Sequence, residues 1–189
     1  MVKVLVISCS LNRHSRSALL AREAVDVLKR EGAGQELIDL RDQMLPLCDG
    51  AEAYQAPAVQ SLREAISGAD AVLLTVPVYN YSANAAAKNL IELTGRAWTD
   101  KVVGFLCSAG GKGSYMSMMS LASSLMLDFR CLIVPRFVYT TDDGFDGDTV
   151  TKPVVQRIEE LVAQALRLAE AMKQAGPLPA AGSLRGTLG

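Results

Sequence analysis

The chain has 189 residues, half of them hydrophobic and 21% charged, which is the composition of a soluble globular protein of ordinary domain size. Nineteen Lys and Arg face twenty Asp and Glu, a net charge of −1. That balance argues against a nucleic-acid binder, which needs a concentrated basic surface. It also argues against a pure electron carrier, whose docking relies on a strong field of one sign, and suits a small-molecule acceptor better.

The opening run Met1 to Ser8 is too short for a signal peptide, and no stretch approaches the roughly 18 apolar residues of a membrane helix. Cys9, Cys48, Cys107 and Cys131 are scattered without a C-x-x-C pair, so reduced thiols and a cytoplasmic location are expected, with no membrane and no nucleic-acid partner. Cys131 reads as core filler. Cys9 and Cys107 fall at strand ends that face a loop, so packing and ligand contact both remain open for them.

Strand and helix patterns alternate along the chain. Val2 to Ser8 reads as a strand, and Ser17 to Arg30 as a helix through Leu20, Ala24, Val27 and Leu28. Gly32 and Gly34 stop it. A second strand is expected over Glu36 to Leu40, then an irregular stretch punctuated by Pro46, Gly50 and Pro57. Further helices are expected from Ala58 to Ser67, Asn84 to Thr94, Ser114 to Asp128 and Lys152 to Gln174. Strands are expected over Ala71 to Val76, Lys101 to Cys107 and Cys131 to Thr140. Apolar strands alternating with helices predict an α/β three-layer sandwich, with a five-stranded parallel sheet covered on both faces. Right-handed crossovers favour the order 2-1-3-4-5, with a crevice at the carboxyl ends of the first and third strands. One domain over 1–175 and an irregular tail over 176–189 are expected.

The loop after the first strand, Ser8 to Ser17, gathers serines, Asn12, Arg13 and Arg16 at a helix start, where unpaired N–H groups attract an anion. It has no glycine, so it is not the G-x-G-x-x-G turn that receives a pyrophosphate. A hydroxyl-rich loop suits a terminal phosphate, held by Ser10, Asn12, Ser15, Arg16 and Ser17. In the blander reading Ser15 or Ser17 only caps the helix. His14, the sole histidine, reads as an exposed loop residue or a neighbour of the phosphate. The loop after the third strand, Pro77-Val78-Tyr79-Asn80-Tyr81-Ser82-Ala83-Asn84, offers a rigid platform with exposed amides for a flat ring; the blander reading is a turn capped by Ser82 or Asn84.

These two loops resemble those of the NAD(P)H-dependent FMN reductases, which include chromate, quinone and azo-dye reductases. Cys9-Ser10-Leu11-Asn12-Arg13-His14-Ser15-Arg16-Ser17 is similar to the family pattern G-S-L-R-x-x-S-x-N. The stretch from Pro77 to Asn89 is similar to P-E-Y-N-x-S-x-P-x-x-L-K-N, matching at Pro77, Tyr79, Asn80, Ser82, Lys88 and Asn89. Asn12, Val78 and Asn84 depart from it, standing where the family has arginine, glutamate and proline. The resemblance extends over about residues 1–175 and implies a flavodoxin-like fold, FMN with NADPH or NADH, and a homodimer or homotetramer. It implies ring contacts from Pro77, Val78, Tyr79, Asn80 and Tyr81, and a third contact region at Ser108, Ala109, Gly110 and Gly111. It implies hydride transfer from NAD(P)H through bound FMN to a small acceptor, whether quinone, free flavin, azo compound or metal oxyanion. No side chain is expected as catalytic acid or base and no metal site is expected.

Two features are decoys. Gly111-Lys112 lacks the glycine and the Ser or Thr of a P-loop. Asp142 to Asp148 lacks the calcium-loop spacing and reads as a solvated acidic loop. Met116, Met118, Met119 and Met126 read as core or subunit contact. The competing functions are an FMN-binding electron-transfer protein without nicotinamide turnover, and a response-regulator-like module, which would need an acidic pocket after the first strand.

Overall fold

In the computed structural model of the chain, the described residues are 1–176. Five α-helices and nine short or long strands alternate: β1 Lys3–Ser8, α1 Arg16–Arg30, β2 Gly34–Asp39, α2 Pro57–Gly68, β3 Ala71–Tyr79, β4 Ser82–Ala83 and α3 Ala85–Thr94. These are followed by β5 Val102–Ser108, α4 Met119–Phe129, β6 Leu132–Ile133, β7 Val138–Thr140, β8 Phe145–Asp146, β9 Thr149–Val150 and α5 Lys152–Ala175. The main sheet runs β2-β1-β3-β5-β6, with β7 also on β5 and β4 on β3. All of its pairs are parallel except β3 with β4.

Residue alternation along each strand sorts side chains onto two cores, as the period of 2 dictates. Val4, Val6 and Leu73 pack with Leu20, Leu28, Ile158 and Leu161 of α1 and α5. Leu5, Ile7, Val72 and Leu74 pack on the other face with Leu62, Leu90 and Leu125 of α2, α3 and α4. Both faces of the sheet are therefore covered, and every loop that follows a parallel strand is delivered to one edge.

The sheet has seven strands rather than the expected five. The expected last strand, Cys131 to Thr140, is broken into β6 and β7. Pro135 supplies no N–H to a ladder, and Arg136 adopts φ 57°, outside any strand conformation. The extra strand β4 arises because β3 runs three residues further than its apolar run suggested. Pro77, Val78 and Tyr79 are therefore strand residues and not loop residues. The helix expected from Ser114 starts as a 3₁₀ segment, Lys112–Met118, and becomes α4 only at Met119. Of the tail expected over 176–189, all but Gly176 lies outside the described residues.

The acidic stretch keeps Asp142, Asp143, Asp146 and Asp148 exposed, as a solvated loop would, and adds internal pairing. Thr141 Oγ1 donates to Asp143, Asp142 and Asp143 pair with Arg16 and Lys112, and the chain closes into the β8–β9 hairpin. Gly144 sits beneath it, and a methyl group there would strike Thr140 Oγ1. Among the described residues no helix is long and apolar enough to cross a membrane, and no three His, Cys, Asp or Glu side chains gather as a metal site.

Candidate functional site

The first loop leaves β1 anchored, with the Cys9 N–H donating to the Thr75 carbonyl at 2.9 Å. It then folds on its own side chains. Asn12 N–H donates to Ser10 Oγ at 3.3 Å and His14 N–H to Asn12 Oδ1 at 3.0 Å. Ser15, in extended conformation, caps α1 by accepting the Ala18 N–H at 3.3 Å, and its hydroxyl lies 2.8 Å from Ser17 Oγ. One cap thus leaves the other N–H groups of the first turn available to an anion.

A residue that sequence reasoning missed braces this loop from outside. Arg41, just beyond β2, donates through Nη1 to the Arg13 carbonyl at 3.1 Å, and through Nε to Asp39 Oδ1 at 3.0 Å. Nothing in the spacing of Arg41 marks it, because only the β1–β2 register brings the two segments together. Burial alone would raise the Asp39 carboxyl, but the hydrogen bonds and charge of Arg41 outweigh it and hold the group below the usual carboxylate range. A carboxyl so depressed stabilises the fold fully above its unfolded value, near pH 4, and loses that contribution as pH falls through the lower folded value. Thermal melts are therefore expected to drop more steeply from pH 5 to pH 3 in the wild type than in Asp39→Asn.

The third loop is a β-hairpin turn. Val78 pairs with Ala83 and Tyr79 with Ser82, leaving Asn80 and Tyr81 as a two-residue connection. Both take positive φ, 50° and 61°, as a type I′ turn demands. Asparagine tolerates this region, whereas tyrosine pays about 1 kcal/mol. Tyr81 is 75% exposed, so packing offsets little of this. Tyr81→Gly is expected to be neutral or stabilising by about 0.5–1 kcal/mol in denaturant titration, since glycine meets no steric penalty there.

Asn84 was expected at most as a helix cap. The structure shows no side-chain cap at α3; Asn84 is buried and its Nδ2 donates to the Cys9 carbonyl at 2.7 Å. The residue that replaces the proline of the similar pattern thus ties the third loop to the first.

The fourth loop is fixed by the edge strand. Ala109 N–H donates to the Thr140 carbonyl at 2.9 Å, and the Tyr139 hydroxyl donates to the Gly111 carbonyl and lies 2.7 Å from Ser114 Oγ. A Cβ built on Gly110 or Gly111 would meet nothing within 4 Å, so both backbones border open space.

The three loops converge on a cavity of about 230 Å³, lined by Ser10, Asn12, His14, Ser15 and Arg16, by Pro77, Val78 and Tyr79, and by Ser108, Ala109, Gly110 and Asp142. Ser17, Asn80, Tyr81 and Gly111 are not in its wall. Ser17 is fully buried behind Ser15; Asn80 and Tyr81 form the hairpin tip at the rim. Asp142 was missed as a wall residue, because only the fold returns the acidic stretch to the first loop. A larger hollow of about 610 Å³ lies on the other side of the 140–144 segment, with Lys112, Tyr115 and Arg157 in its wall. It too has hydroxyls, of Tyr139, Thr140, Thr141 and Thr151, and the start of α5, but Pro153 removes an N–H from that start. Arg157 is taken up by the Tyr139 and Phe137 carbonyls and Lys112 by Asp143. The smaller cavity, where the first, third and fourth loops meet, is the candidate site.

Cys9 and Cys107 do not face the cavity. Both are fully buried, and burial pushes their thiols far above the ordinary value, which leaves them protonated and unreactive. Cys131 fills the core as expected, its thiol pushed up to about 11 and donating to the Trp98 carbonyl at 3.1 Å.

A parallel sheet covered on both faces, with its first, third and fourth loops meeting at the carboxyl edge, defines a flavodoxin-like protein. The model of the NADPH-dependent FMN reductases matches residues 2–146, and the chain belongs to that family of oxidoreductases. An NAD(P)H-dependent FMN reductase of Pseudomonas aeruginosa is 31% identical over 173 residues, covering 88% of this chain and 92% of its own. An NADPH:quinone oxidoreductase of Arabidopsis thaliana is 26% identical over 174 residues, covering 86% and 89%. A solved flavoenzyme, an NAD(P)H:(acceptor) oxidoreductase from Paracoccus denitrificans, shares the fold with a TM-score of 0.70 at 21% identity, over 88% of this chain and 98% of that one.

Proposed function

We propose that the protein holds FMN across the cavity and uses it to pass reducing equivalents from NAD(P)H to a small acceptor, with quinones the first class to test. The observation that carries this reading is the meeting of the Ser10–Arg16 cradle, the Pro77–Tyr79 strand end and the Ser108–Gly110 turn in one wall. The residues fit the group. Hydroxyls of Ser10 and Ser15, the N–H groups of the α1 start and Arg16 match a phosphate monoester. The open backbone at Gly110 and Gly111 admits the edge of a flat ring, with Tyr79 and Tyr81 beside it.

Bound FMN supplies the hydride and electron chemistry, which no side chain of the cavity needs to perform. The protein binds and orients. Ser10, Asn12, Ser15, Arg16 and Ser17 serve the phosphate, with Ser17 acting through Ser15. Pro77, Val78, Tyr79, Asn80 and Tyr81 fix the plane of the ring. Backbone N–H groups of Gly110 and Gly111, beyond the Ala109 amide that binds Thr140, offer donors to the ring edge that gains negative charge on reduction, the arrangement by which preorganised amides stabilise an anion. Arg13 and Arg16 suit the extra phosphate of NADPH. The quinone and FMN reductase names of the similar proteins support the acceptor class.

The chain acts as one domain over 1–175. Its four cysteines are all unbridged, which suits a reducing cytoplasm. Tyr81, Tyr115, Met116, Met119, Met126 and Leu127 leave apolar surface exposed around the hairpin and α4, which supports a homo-oligomer. The test is NADPH consumption by the purified chain given FMN and a benzoquinone or naphthoquinone. Turnover that depends on both additions is expected; FMN binding with no oxidation of NADPH or NADH would leave only electron transfer, and no FMN binding would end the reading.

A further inference from the structure

Arg16 occupies an electrostatically awkward place. It is the first residue of α1, where the helix dipole presents positive charge, and the first turn contains no acidic residue to offset it. The compensation comes from a distant segment: Asp142, two residues beyond β7, pairs with the Arg16 guanidinium, which also sits 5.4 Å above the Phe145 ring of β8. Both members of the pair are wall residues of the cavity, alongside Ser10, Asn12 and Ser15. A carboxylate in the wall of a phosphate cradle repels a phosphate and occupies the one cation of that wall, so it works against binding.

Resting on the FMN reading above, we propose that Asp142 is an affinity-setting residue: it shares Arg16 with the FMN phosphate, so the flavin must displace a carboxylate to dock, and the carboxylate recaptures Arg16 when the flavin leaves. The segment is built to hold that position. Gly144 has no room for a side chain against Thr140, Thr151 N–H donates to the Gly144 carbonyl at 3.0 Å, and the β8–β9 pairing closes the stretch from 145 to 150. The partners are 45% and 77% exposed, so the pair is a weak, solvent-screened one that a dianionic phosphate can outcompete. The consequence is a flavin that exchanges, held less tightly than the hydroxyl cradle alone would hold it.

The sign of the effect separates this role from a structural one. Asp142→Asn is expected to tighten FMN by roughly three- to tenfold, the scale of a partly screened charge contact, and to slow FMN dissociation, while riboflavin affinity stays unchanged. Asp142→Glu, which keeps the charge, is expected to restore wild-type FMN affinity. In an Arg16→Gln background the Asp142→Asn gain is expected to shrink below about twofold, because the shared cation is gone. FMN and riboflavin titrations followed by flavin fluorescence read all of these. Unchanged or weaker FMN binding in Asp142→Asn overturns the proposal, as does a gain that persists undiminished without Arg16. Wild-type protein that binds neither flavin overturns the FMN reading itself.

Discussion

Replacing Ser15 by Ala is expected to weaken FMN binding by about 10- to 100-fold while leaving riboflavin binding within about twofold. The expectation follows from one hydroxyl in the cavity wall at the start of α1. A hydrogen bond to a charged phosphate contributes about 1.5–3 kcal/mol, which is that range of affinity. Riboflavin has the ring and the ribityl chain without the phosphate, so it reports any general damage. The same substitution removes the cap on Ala18 N–H, and loss of such a cap costs about 1 kcal/mol of stability. Thermal denaturation therefore has to accompany the titrations, and the FMN effect has to exceed what the small loss of stability explains.

Asn84→Ala has the other large effect, and a different signature. The Cys9 carbonyl would lose its Nδ2 donor inside the fold, and a buried acceptor left unpaired costs about 1–3 kcal/mol. For a chain of this length that is a fall in melting temperature of roughly 2–4 °C per kcal/mol. Because Asn84 ties the first loop to the third, its loss separates the phosphate cradle from the ring platform. FMN and riboflavin are both expected to bind more weakly, in contrast to Ser15→Ala. A variant that melts like wild type and binds both flavins normally would show that the Cys9 carbonyl finds another donor and that the loop tie is dispensable.

The architecture was legible in the sequence because its signals are local. Apolar runs such as Ala71 to Val76 and the spacing of Leu20, Ala24, Val27 and Leu28 mark strand and helix without knowledge of neighbours. The cores confirm both assignments. The misreadings fall where a tertiary partner decides. Pro77 looked like the end of a strand, yet β3 continues to Tyr79 because β4 pairs back onto it through a turn that accepts two positive φ angles. Cys131 to Thr140 looked continuous, yet Pro135 and Arg136 break the ladder into two pieces.

The site divides in the same way. That Ser10, Asn12, Ser15 and Arg16 share one cavity wall was readable because a helix start with hydroxyls is a contiguous pattern. Arg41 and Asp142 were not, since each reaches the first loop from a separate strand end, and an arginine or aspartate in isolation carries no mark of that contact. Asn84 was read as a cap because its position before a helix suggests one, whereas its side chain turns inward to give Nδ2 to the Cys9 carbonyl and its Oδ1 accepts no helix N–H.

The central claim is that a phosphate recognised by the first loop anchors a ring laid against the β3–β4 hairpin. Paired calorimetric titrations of the wild-type chain with FMN and with riboflavin test it most directly. With Ser10, Ser15, Arg16 and the α1 start together serving the phosphate, FMN is expected to bind at least about 100-fold more tightly, two charge-assisted hydrogen bonds being enough for that factor. Equal affinity for the two flavins would contradict the account.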